Sequence, residues 1–118
     1  MPTDNKISEM LIAVSGELLQ SVDSQQEMQA HLDLVKTAWN MATESGDKRK
    51  RELKKFILKQ KKYAPSAEAL KGLGWEMRRI MKQKDLLFPD IHNKVVNAEA
   101  IEKAKDDYII RAYFEAEE

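Results

Sequence analysis

The chain contains no cysteine, which excludes disulfides, thiolate nucleophiles, iron–sulfur ligation and every zinc site that includes a cysteine. The same absence fits a reducing compartment, so residence in the cytoplasm is the expectation. With only four glycines and three prolines in 118 residues, little interrupts a composition dominated by helix-forming Ala, Leu, Glu, Lys, Gln, Met and Arg. Long hydrophobic runs are missing too. The longest near the N-terminus, Met10 to Val14, is far short of the roughly 20 residues that cross a bilayer. Residues 1–20 also lack the basic start and small-residue cleavage site of a secretory signal.

Scarcity of histidine limits metal chemistry. A di-iron helical bundle draws on two Glu-x-x-His pairs, whereas this chain has only His31 and His92. Glu27 and His31, four residues apart, read as a solvated pair on a helix flank, and His92 as part of a turn beside Asp90. None of the serines has a Gly-x-Ser-x-Gly setting. The Gly72-Leu73-Gly74 spacing lacks the third glycine, the preceding strand and the Lys-Ser/Thr of a phosphate loop. These residues predict a non-enzymatic protein with no metal and no cofactor.

The residues that are present repeat at helical spacing. Ile7, Leu11, Val14, Leu18 and Val22 recur every three or four positions, as one face of a helix requires. Ser24 and Glu27 read as a capping box ahead of a second helix, whose apolar line is Met28, Leu32, Val35, Trp39 and Ala42 and whose end falls between Thr43 and Gly46. Asp47 is expected to cap a third helix reaching Tyr63, with Leu53, Phe56 and Ile57 as a narrow apolar patch. Pro65 and Ser66 restart the pattern through Ala67, Leu70, Gly74, Met77 and Met81, with a kink or break near Gly72 and Gly74. Leu86, Leu87 and Phe88 look like a buried connector. A last helix is expected from Ile91 to Phe114, with Val95, Ala98, Ile101, Ala104, Tyr108 and Ala112 on one side. The expectation is therefore an all-α fold: a compact antiparallel bundle or array of about five helices, one domain over residues 1–118, frayed at 1–5 and 115–118.

A formal net charge of zero conceals three blocks. Residues 1–46 carry 2 basic and 7 acidic side chains (−5), residues 47–84 carry 14 and 4 (+10), and residues 85–118 carry 4 and 9 (−5). The densest stretch, residues 48–62, holds nine cations, Lys48, Arg49, Lys50, Arg51, Lys54, Lys55, Lys59, Lys61 and Lys62, against one acid. As a helix it would span roughly 20 Å, enough to meet an acidic protein surface or to follow several phosphates. The acidic blocks of the same chain could equally balance it. Leu73, Trp75 and Ile80 lie off the Met77 and Met81 stripe and suggest a second surface, an apolar edge for another protein or a second copy of this chain. The reading is a small protein-interaction or regulatory module. The alternative is a nucleic-acid-associated protein that contacts phosphates through residues 48–62 without strong sequence preference, since no zinc-finger, basic-zipper or RNA-recognition signature is present.

Overall fold

A computed structural model describes residues 6–16, 18–19, 24–104 and 107–114. The expected frayed ends at 1–5 and 115–118 lie outside the described residues, as does Val22. Four helices come first, α1 (Lys6–Ser15), α2 (Gln25–Ala42), α3 (Gly46–Gln60) and α4 (Ala67–Leu87), followed by an antiparallel hairpin of β1 (Val95–Ala104) and β2 (Asp107–Phe114).

The helices follow the sequence pattern with three corrections. First, α1 stops at Ser15 rather than continuing toward residue 22, because Gly16 takes a left-handed φ of +64°. The Arg79 guanidinium fills the space beside it, donating to the Ser15 carbonyl at 2.7 Å, and a Cβ on Gly16 would lie 2.8 Å from Arg79 Nη1. Second, the residue preceding α3 is Ser45, not Asp47, and its side chain makes no cap bond. The other two caps hold: the hydroxyls of Ser24 and Ser66 accept from the amides of Glu27 and Ala69 at 3.1 and 3.0 Å. Third, α4 runs unbroken through Gly72 and Gly74. The segment after its apolar stripe is not a buried connector, since Leu86 and Leu87 are exposed and only Phe88 turns in against the core.

The larger correction is to the fold class. The described residues between 91 and 114 do not form a fifth helix, and the molecule is not an all-α bundle, because β1 and β2 make a true antiparallel sheet. The apolar positions here satisfy two periods at once. Val95, Ala98, Ile101, Ala104, Tyr108 and Ala112 fit helical steps, but Ala98 and Ala100 on β1 and Tyr108, Ile110 and Ala112 on β2 alternate inward at the period of a strand. Composition favours the second, since Val, Ile, Tyr and Phe are concentrated at 95–96, 101, 108–110 and 113–114. The register pairs Glu99 with Arg111 and Ile101 with Ile109 on the outer face.

Docking against α2 decides the matter. Gln29 donates to the Ala98 carbonyl (2.8 Å) and accepts from the Ala100 amide (2.8 Å), while Gln25 donates to the Ala100 carbonyl (3.1 Å). Asn40 donates to the Val95 carbonyl (2.8 Å) and accepts from its amide (2.7 Å). One row of α2 amides thus acts as a neighbouring strand for β1, supplying both donors and acceptors. Around this seam the core gathers Leu11 and Val14 of α1, Met28, Leu32, Val35 and Trp39 of α2, and Met77 and Ile80 of α4. Trp39 stacks on Phe114 at 6.1 Å, meets Phe88 at 5.9 Å, and donates its indole N–H to the Asn93 carbonyl at 2.9 Å. Beside it the buried Lys84 ammonium, 5.3 Å from the Trp39 ring, donates to the carbonyls of Phe88 and Ile91. Burial pushes this lysine below its usual range, against the opposing pull of Asp85.

Lys94 finishes the junction by donating to Thr43 Oγ1 (2.6 Å), the Glu44 carboxylate (2.9 Å) and the Asn40 carbonyl (3.2 Å). Two outcomes are expected. Asn40→Ala removes both bonds to Val95 and leaves the amide and carbonyl of this buried residue without their side-chain partner, so it should destabilise by about 1–3 kcal/mol in urea unfolding; an unchanged midpoint would refute the strand-like role of the α2 amides. The bonds from Lys94, and next Lys48, hold the Glu44 carboxyl below its usual range. A carboxyl lowered by folding adds stability above its unfolded pKa, and that contribution disappears as pH falls through the folded value. Glu44→Gln should therefore flatten the acid side of the stability profile and leave its slope near neutrality alone.

Candidate docking groove between α3 and α4

Only one α3 side chain, Leu53, reaches full burial. Phe56 and Ile57 are half-buried and Leu58 is 57% exposed, so α3 lies on the molecule rather than in it. Arg49 pins its first turns. It donates to the carbonyls of Glu44 (2.9 Å) and Ala42 (2.6 Å), closing the carbonyl end of α2, and forms a forked pair with Asp85 of α4 at 2.7 and 3.0 Å. Farther along, Ile57 sits over Gly74, where a Cβ would lie 3.5 Å from Ile57 Cδ1 and 3.3 Å from Arg78 Nη1. Early α3 faces late α4 and late α3 faces mid α4, so the two run antiparallel.

Between them is a run of adjoining depressions. The largest, about 510 Å³, is bounded by Lys50, Leu53, Lys54, Ile57, Leu58 and Arg78. It continues toward Met81, Lys82 and Asp85 in one direction (about 260 Å³) and toward Leu70, Lys71 and Gly74 in the other (about 370 Å³). The floor is apolar. Cations stand on both rims, Lys50 and Lys54 on α3 and Arg78 and Lys82 on α4, each pair four residues apart and so stacked along its helix. None of these four makes an ion pair or hydrogen bond with another described residue.

The fold distributes the nine cations of residues 48–62 among several settings. Arg49 is spent inside the fold, and Lys48 pairs with Glu44 at 3.2 Å. Lys50 and Lys54 line the groove. Arg51, Lys55 and Lys59 form an exposed row along α3, with Lys55 only 4.0 Å from Glu52, and Lys61 and Lys62 are exposed beyond the last α3 residue. The apolar edge of Leu73, Trp75 and Ile80 is not assembled. Ile80 is fully buried, Leu73 lines a different depression with Phe56 and Leu34, and Trp75 alone is widely exposed, at 64%. Arg78 and Lys82 lie outside the dense stretch 48–62, although their i, i+4 spacing inside the +10 block is visible in the sequence.

His31 places Nδ1 3.1 Å from the Leu18 carbonyl. Among the described residues no three His, Asp or Glu side chains cluster as a metal site would require. No described helix is long and apolar enough to cross a membrane. Compared with protein families, with curated proteins and with solved structures, the chain matches none of them.

The two classes of cation should separate on mutation. Arg49→Ala should lower stability by about 1–3 kcal/mol, because buried carbonyls lose a charged donor even after its half-exposed ion pair is discounted. Lys54→Ala should stay within about 0.5 kcal/mol of the parent, as exposed substitutions do. Thermal melts of both variants test this, and equal losses would show that Lys54 has a fold role its surroundings do not reveal.

Proposed function

We propose that this chain is a binding module that docks an acidic protein partner on its α3–α4 face. The observation that carries the reading is an apolar floor flanked on both sides by cations that no described carboxylate neutralises. Such cations attract carboxylates and set orientation, while apolar contact in the floor supplies non-directional stabilisation. A phosphate backbone would satisfy the rims and leave the floor uncovered. The second reading, contact with nucleic acid, draws its support from Arg51, Lys55 and Lys59, whose exposed row extends along the outside of α3.

Amide NMR of the folded protein at low salt distinguishes the two. Polyglutamate should shift residues 50–58 and 74–82 most, and the double variant Lys54→Gln/Arg78→Gln should weaken its binding while preserving the spectrum elsewhere. Mixed-sequence duplex DNA that binds more tightly, with shifts centred on Arg51, Lys55 and Lys59 and a steep loss with salt, would favour the second reading. Shifts spread evenly over all faces, or no binding of polyglutamate, would reject the first.

A further inference from the structure

We infer that the occupant of the α3–α4 groove is an acidic amphipathic helix; the inference rests on the reading of that groove as a protein-docking surface. The shape of the groove favours a helix over an extended strand. Both walls are helices whose backbone groups bond internally, so they offer an incoming strand no donors or acceptors in exchange for its own. A strand laid on this floor would lose water from its backbone amides and carbonyls and gain nothing for them, whereas a helix arrives with those groups already paired.

Length and pattern follow from the walls. The α4 side runs from Lys71 to Asp85, about 20 Å at 1.5 Å per residue, which matches a partner helix of about 14 residues. Apolar side chains at i, i+4 and i+7 of that helix would point into the floor over Leu53, Ile57 and Met81. Because cations stand on both rims, carboxylates are needed on both flanks of the apolar stripe, so a helix with acids on one flank only would leave Lys50 and Lys54, or Arg78 and Lys82, without counter-charge. At the far end Asp85 is already paired with Arg49, so the positive field weakens there. The acids of the partner should therefore concentrate opposite Lys54 and Arg78.

The test uses the intact chain and three ligands: a capped peptide of about 14 residues with leucines at i, i+4 and i+7 between glutamate flanks, a scramble of the same composition, and polyglutamate. Affinity is read by calorimetry and peptide helicity by circular dichroism. The amphipathic peptide is expected to bind at least about tenfold more tightly than its scramble and to gain helicity on binding. Leu58→Ser, at an exposed position on the groove wall, should weaken the amphipathic peptide more than the scramble or polyglutamate, so that most of the peptide's preference is lost. Lys54→Gln/Arg78→Gln should weaken all three ligands. Equal binding of the peptide and its scramble, alongside retained polyglutamate binding, overturns the helical occupant and leaves the acidic docking surface standing. Loss of binding to all three by the parent overturns both. Tight retention on phosphatidylserine vesicles without any preference for the amphipathic peptide would assign the face to a lipid surface and overturn the inference as well.

Discussion

The structure depends on a row of amides along α2 that treats the edge of β1 as though a third strand lay there. A two-stranded hairpin is marginal in water unless packed against something else, and the outward backbone groups of β1 would otherwise face a helix that has no backbone bonds to give. Gln25, Gln29 and Asn40 solve this because a carboxamide both donates and accepts, and their spacing on α2 brings them to one side. The approach must be close. Small residues at Ala98 and Ala100 permit it, and the Trp39 indole and Lys94 ammonium extend the seam to residues 93 and 94.

With the hairpin seated on α2, the other helices are left to cover the remaining apolar surface. On α4 this divides one helix between two tasks. Met77, Ile80, Met81 and Lys84 face the interior, while Trp75, Arg78 and Lys82 remain exposed. Placing a lysine among the inward residues works because its stem is long and the carbonyls of Phe88 and Ile91 accept hydrogen bonds from its ammonium. Resting on the outer flank of this arrangement, α3 is held by Leu53 and the forked contacts of Arg49, and its light attachment is what leaves an open groove beside it.

The same division explains how the charge blocks operate. A block of +10 in sequence becomes two populations in space: cations consumed by the fold, among them Arg49, Lys84 and Arg79, and cations left without counter-charge beside an apolar floor. Arg79 accounts for part of the first population by bridging Glu76 and the Ser15 carbonyl. The acidic N-terminal block contributes Glu44, whose carboxylate pairs with Lys48 and Lys94 and does not line the groove.

Local chemistry alone determined the four helices, the two serine caps, the burial of Val14, Leu32, Trp39 and Met77, and the presence of surplus positive charge in the middle of the chain. These depend on residues within a few positions of one another, where spacing is directly readable. Residues 91–114 were different, since their apolar positions fit both a helix and alternating strands. The choice fell to Asn40, Gln29 and Gln25, which lie 55 to 75 residues away from their backbone partners. Tertiary structure likewise decided that Ile80 is core, that Arg49 is a structural fork, and that Arg78 and Lys82 join Lys50 and Lys54 around one groove. Sequence fixes how many charges a segment carries, but only the packing of one helix against another decides which of them meet a carbonyl, which meet a carboxylate, and which are left facing solvent.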